Sequence, residues 1–183
     1  IMWASYTSTA AANEQPSYNT IEELVVTARK KSENMQEVPL SISAMSETMM
    51  AEAGINSLGD ISDFTPGFDF AQSFGRQDFR PSIRGQSTID GGANAGLFID
   101  GFYVGQGGPS VPTAALQRIE VVKGPQSTLY GRATLAGAIN YVLKKPTDEF
   151  EGEVEATIGE YGEVRTDITL SGPLSDTVSY LVA

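Results

Sequence analysis

The sequence has no cysteine and no histidine, and it is short of bases, with 12 Lys and Arg against 23 Asp and Glu in 183 residues and a formal net charge of −11. Without Cys or His, zinc fingers, Cys-His and Ser-His-Asp nucleophile systems and thiol redox pairs are excluded, so any catalysis would fall to carboxylates, Lys, Tyr or Ser. The shortage of bases argues against nucleic acid as a partner, because that needs a basic footprint. It is also uneven. Residues 1–147 hold 14 acids and 11 bases, whereas residues 148–183 hold nine acids and the single base Arg165, so the composition breaks near Pro146. Two ligand motifs are missing as well. Lys123-Gly124 reverses the order of a phosphate loop, and Pro125 has no N–H to offer a phosphate. The loop over 88–96 lacks the acidic spacing of an EF-hand. The length suggests about one domain.

The strongest pattern present is Arg118 to Val142. An apolar alternating run with Ile119 and Val121 is followed by a Gly124-Pro125 corner, a small-residue loop with Gly131, and a second run with Ala138, Tyr141 and Val142. Two strands joined by a compact connector are predicted, and on the residues alone that connector is an ordinary turn.

Arg118-Ile119-Glu120-Val121-Val122-Lys123-Gly124-Pro125-Gln126-Ser127-Thr128-Leu129-Tyr130-Gly131, followed by Gly137-Ala138-Ile139-Asn140, resembles the signature of the plug domain of TonB-dependent outer-membrane receptors. Pro81-Ser82-Ile83-Arg84-Gly85 and Phe98-Ile99-Asp100-Gly101 are similar to two further pieces of that family, in the same order. The likeness runs from about Ile21 to the end. It departs at Ala136, where the family often has a second glycine, and at Tyr141, where a smaller residue is common. The resemblance implies that Arg84, Gly85, Asp100, Gly101, Arg118, Glu120, Gly124, Pro125, Tyr130, Gly131, Gly137 and Asn140 form the plug's structural motif. It also implies that Arg84, Arg118 and Glu120 enter charge pairs within the plug or against a barrel.

The rest of the chain is then placed around this centre. Ile1 to Ala12 is small and apolar, ends in three alanines and has no basic start, which fits either a truncated signal peptide, the preferred reading, or an accidental apolar start. Residues 13–31 are expected to be a periplasmic tether. Within it, Leu24, Val25, Val26, Thr27 and Ala28 read on their own as an edge strand, while the resemblance implies a TonB box, a free strand for β-augmentation by TonB. Residues 32–147 are the expected plug domain. In it, Val38 to Ala44 alternates as a strand, and Ser46 caps a helix with Met45 and Met50 as a hydrophobic staple and Gly54 as its stop. Ser57 to Phe64 reads as a second helix. Phe68, Phe70, Phe74 and Phe79, interleaved with Arg76, Arg80 and Arg84, show no clean period. They are assigned to plug packing and charge pairing. Leu97 to Ile99 is a buried strand, Phe102 to Pro109 a Gly-rich loop, and Pro112 to Leu116 a single helical turn; Tyr103 and Gln106 in that loop, and Phe74 in the earlier stretch, are candidate solute contacts.

Beyond Pro146, Phe150, Gly152, Val154, Ala156 and Ile158 alternate with acids and Thr. After a turn at 159–162, Val164, Thr166, Ile168 and Leu170 do the same, and a third run with Val178, Tyr180 and Val182 starts past Gly172-Pro173. Transmembrane barrel strands have this form, and so does a soluble hairpin with one wet face; periodicity does not separate them. The resemblance favours the barrel for residues 148–183. The predicted fold class is therefore an α+β plug domain, a small mixed sheet with short helices, followed by the first antiparallel strands of a transmembrane β-barrel, which in this family has about 22 strands.

The function this implies is import of a scarce solute by plug gating at the outer membrane of a Gram-negative bacterium. A ferric siderophore comes first, with haem, cobalamin or a glycan as alternatives. TonB with its inner-membrane energising complex is the implied partner, and no cofactor or metal is implied. Two other classes fit the residues less well. A carboxylate enzyme built on Asp100, Glu120 and Tyr130 lacks a base, nucleophile and orienter together. A secreted or surface β-rich adhesion module would not carry three ordered plug motifs.

Overall fold

The computed structural model describes residues 24–72, 79–87, 94–105, 111–131, 134–159, 162 and 164–183. The Arg118 to Val142 region forms the two central strands, β8 (Leu116–Lys123) and β9 (Gly137–Leu143), of a five-stranded sheet. Its other members are β3 (Ser41–Ser46), β6 (Ala95–Ile99) and β7 (Phe102–Tyr103), in the order β3-β8-β9-β6-β7. β6 runs parallel to β9 and every other pair is antiparallel, so the sheet is mixed.

Cross-strand register divides the residues between two faces. On one, Met45, Ile119, Tyr141 and Ile99 lie in a row, with Val121, Ile139 and Leu97 in the next. This face packs on α1 (Glu47–Glu52), α2 (Leu58–Phe64) and the hairpin of β4 (Phe68–Gln72) and β5 (Phe79–Ile83), through Met50, Ile55, Ile61, Phe68 and Ile83. Both helices start as expected. The Ser46 hydroxyl accepts from the Met49 N–H, and Ser57 with Asp60 makes a reciprocal capping box. Met45 and Met50 are both buried in this core.

The other face carries Phe98, Val122 and Ala138 together with the polar Arg118, Glu120 and Asn140. It meets the N-terminal segment, where β1 (Val25–Val26) pairs with β2 (Glu33–Asn34) and Val26 and Ala28 are buried. Leu24–Ala28 was expected to be a free strand in a tether reaching residue 31; in the structure it is docked instead. Burial of Val26 and Ala28 drives this, because a two-residue strand pair has no independent stability.

Three further differences have local causes. The stretch from Phe68 lacked a period because β4 and β5 are short strands that pair with each other. The expected loop at Phe102 starts with β7. The connector between β8 and β9 holds a one-turn helix, α3 (Ser127–Tyr130), closed by Gly131. The predicted single turn before β8 is present at Thr113–Ala115.

After the plug, β10 (Glu151–Ile158), β11 (Val164–Ser175) and β12 (Val178–Val182) form a separate antiparallel sheet. β11 runs through the Gly172-Pro173 pair that was expected to end it, with an irregularity between Pro173 and Ser175. On one face Val154 lies opposite Ile168, and Leu170 lies between Gly152 and Val182; on the other, Glu153 faces Thr169 and Glu155 faces Asp167. The apolar side is open, with Val154 71% and Ile158 82% exposed. The acidic side looks at the plug.

Candidate functional site

The site is built on one row of residues that crosses the whole five-stranded sheet: Ala44, Glu120, Asn140, Phe98 and Tyr103 are successive register partners, so their side chains share a face. Glu120 sits at its centre with no exposed surface. Its Oε1 accepts from the Thr27 N–H at 2.6 Å, from the Thr27 hydroxyl at 3.0 Å and from Arg118 Nε at 2.8 Å, while Asn140 Nδ2 donates to its Oε2 at 3.4 Å. Arg118 also donates to Thr27 Oγ1 and to Gln117 Oε1. A buried carboxylate is tolerated here because a guanidinium and three neutral donors surround it. Arg118 and Glu120, each expected to enter a charge pair within the plug or against a barrel, pair with each other.

Asn140 extends the network to the turn between β6 and β7, where its Oδ1 accepts from the Gly101 N–H at 2.9 Å. Asp100 accepts from the Leu143 N–H and donates its own N–H to the Tyr141 carbonyl, so this turn is tied to the end of β9 at three points. Asp100 and Gly101 both have positive φ, 47° and 80°, as a two-residue hairpin loop of type I′ requires; Arg84 and Gly85, at 53° and 74°, repeat the geometry after β5. The Asp-Gly and Arg-Gly pairs are thus fixed by backbone shape.

The connector folds back on the sheet through backbone bonds from Gly124 N–H to the Ala136 carbonyl and from Gln126 N–H to the Thr134 carbonyl. Pro125 is exposed at its corner. Gly137 lies so close to β8 that an added Cβ would stand 2.2 Å from the Val122 carbonyl oxygen. Tyr130 packs its ring edge-on to Phe98 with centroids 4.6 Å apart, and its buried hydroxyl has no partner among the described residues. Burial, reinforced by the negative charge of Glu120, pushes the Tyr130 phenol up to about 12. Ala136 and Tyr141, the two departures from the family pattern, are both absorbed by the core, and burial pushes Tyr141 up to about 12.

Other expected residues do not join this network. Among the described residues no carboxylate pairs with Arg84, which sits in an exposed turn. It lies instead near Lys123, whose pKa is lowered by burial and then by the Arg84 charge, and whose Nζ donates to the Pro66 carbonyl. Tyr103 is half-exposed with its ring 5.5 Å from Phe98, while Phe74 and Gln106 lie outside the described residues. The oxygens of Glu120 are taken by structural donors and Asp100 accepts from the backbone of β9, so the two carboxylates of the enzyme reading are engaged in holding the fold.

No pattern along the chain signals that Thr27 meets Glu120, 93 residues away, or that Lys144 pairs with Glu47. Lys144 and Glu47 line a cavity of about 260 Å³ between α1, the 113–115 turn and the acidic face of β10 and β11, together with Glu153, Glu155 and Asp167.

A mixed sheet covered on both faces and backed onto the acidic side of a strand wall, whose other side is apolar and open, is the architecture of a stopper domain at the start of a membrane barrel. Residues 34–138 match the family model of the TonB-dependent receptor plug domain, and the chain belongs to that family. It is 30% identical over 189 residues to an iron-regulated outer membrane virulence protein of Vibrio cholerae, covering 94% of this chain and 28% of that protein. It is 29% identical over 174 residues to a pesticin receptor of Yersinia pestis, covering 93% and 26%. Among solved structures, the ferric yersiniabactin uptake receptor of Yersinia pestis superposes with a TM-score of 0.69 at 26% identity, over 75% of this chain and 22% of that one. The chain spans roughly a quarter of the length of these relatives.

Proposed function

We propose that this chain is the plug end of an outer-membrane receptor that imports a ferric siderophore under the drive of TonB. The observation that carries the reading is the continuity, in one polypeptide, of a plug fold with a strand wall that turns acids toward the plug and apolar side chains outward. The outward face suits lipid and the inward face suits a wet interface with the plug. The siderophore is chosen because a structural neighbour takes up ferric yersiniabactin and a relative is iron-regulated. In this reading the plug blocks the barrel, the solute binds from outside, and Leu24 to Ala28 leaves the plug to pair as a strand with TonB at the periplasmic side. The work is gating, with no bond made or broken.

The test is solute binding and uptake, measured together in cells that carry Val26→Pro in the complete receptor. Proline removes a backbone donor and fixes φ, so energised uptake is expected to vanish while binding at the outer face persists. Loss of both would make Leu24 to Ala28 a structural strand only, and retention of both would remove it from the mechanism.

A further inference from the structure

We propose that Glu120 is a latch that seats the Leu24–Ala28 segment on the plug, and that its contact with Thr27 sets how readily this segment reaches a partner. The inference rests on the reading of that segment as the TonB-binding strand and adds what holds it back.

Three observations support it. First, two of the three donors on Glu120 Oε1 come from Thr27, and the backbone bond at 2.6 Å is the shorter of the two. The Thr27 N–H that a partner strand would need is therefore occupied by a carboxylate and not by a neighbouring strand. Second, among the described residues little else in the segment's backbone is tied down across the fold: β1 pairs there only with β2, two residues against two, and the bond from Met35 N–H to the Leu24 carbonyl belongs to the same hairpin. Beyond apolar burial of Val26 and Ala28, the bonds to Glu120 and Arg118 join the hairpin to the sheet. Third, Glu120 is fully buried, so departure of Thr27 would leave the carboxylate with Arg118 and Asn140 alone. Bonds to an ionised acceptor are about twice as strong as neutral ones, and a buried charge stripped of donors is costly. The latch is therefore held shut by charge and drawn back to the closed position after each opening.

The same carboxylate reaches the Asp100-Gly101 turn through Asn140, so displacement of that turn would act on the latch from across the sheet. β7, which follows that turn, carries the exposed Phe102 and the half-exposed Tyr103.

The experiment compares Glu120→Gln, Thr27→Val and the unaltered receptor, each complete and in detergent. It reads amide hydrogen exchange over 24–34 and over β8 and β9, and capture by the periplasmic domain of TonB. Glutamine keeps the shape of the side chain but removes its charge. Thr27→Val leaves the sheet's own side chains in place and removes the hydroxyl bonds to Glu120 and Arg118. Exchange over 24–28 is expected to rise roughly ten- to hundredfold in Glu120→Gln, more than any rise over β8 and β9 that the stranded Arg118 brings, and to rise less in Thr27→Val, with β8 and β9 unchanged there. Unchanged exchange over 24–28 in both variants would overturn the latch. A rise of equal size across β8 and β9 in both would also overturn it, making Glu120 a core residue and nothing more. Faster exchange with stronger TonB capture supports the latch and the strand reading together, whereas faster exchange without any change in capture keeps the latch and refutes the strand reading.

Discussion

Removal of Arg118 tests the central claim about the plug's buried network. The Arg118 side chain is 9% exposed and that of Glu120 is 0% exposed, with Nε and Oε1 2.8 Å apart. Arg118→Met keeps most of the side-chain volume and deletes the positive charge, leaving a buried carboxylate with only the neutral donors of Thr27 and Asn140. Breaking one partner of a buried pair costs about 3–5 kcal/mol, against under about 1 kcal/mol for an exposed pair. Glu120→Leu removes the carboxylate instead and leaves Arg118 bonded to Gln117 and Thr27 near the start of β8. The double variant Arg118→Met/Glu120→Leu has no buried charge to strand and should lose less than the sum of the single variants by about 1–3 kcal/mol. Pulse proteolysis of the plug in the complete receptor, over a urea series, measures all four species. A loss below about 1 kcal/mol for Arg118→Met, or strict additivity in the double variant, would refute the claim that this pair is energetically buried.

Further expectations follow from single residues. Gly137→Ala should destabilise the plug by about 3 kcal/mol or more, because its Cβ would meet the Val122 carbonyl oxygen at 2.2 Å and only backbone movement could relieve the clash; near-wild-type resistance to urea would show that β8 and β9 are less closely apposed. Tyr130→Phe removes a buried hydroxyl that has no described partner, and the plug's urea midpoint should hold or rise. Tyr130 and Tyr141 are both held protonated up to about 12, so the unfolded chain releases these protons first, and stability should be intact below pH 10 and fall as the pH rises toward about 12. Tyr130→Phe should flatten that fall when unfolding is followed against pH. A peptide of residues 148–183 should not fold alone in water, since its three strands leave open edges and exposed Val154, Ile158 and Val164; a monomer that unfolds cooperatively would contradict this.

Much of the local structure was written in the sequence. Ser46 and Ser57 announced two helix starts because a cap depends on residues within one turn. The alternation at Ile119 and Val121, and again from Glu151 onward, announced strands because side-chain period needs only the chain itself. Gly85 and Gly101 marked turns for the same local reason. Short elements stayed hidden: β4 and β5 have too few residues to show a period, and β7 begins within a stretch whose glycines suggested a loop. Gly172-Pro173 suggested a break, yet β11 passes through it because its pairing with β12 continues across both residues.

The site divides in the same way. Arg118 and Glu120 lie two apart on one strand and therefore on one face, so their pairing could be expected from the strand alone. The bond from Thr27 to Glu120 spans 93 residues, and no spacing in the chain encodes it. Only the folded sheet, by aligning Glu120 with Asn140 and placing Ala28 and Val26 over that face, decides that the N-terminal segment is a covered strand and no longer a free tether. Local pattern set which residues form strands and turns; the burial of one carboxylate, with the donors it then requires, set where the chain's beginning is held.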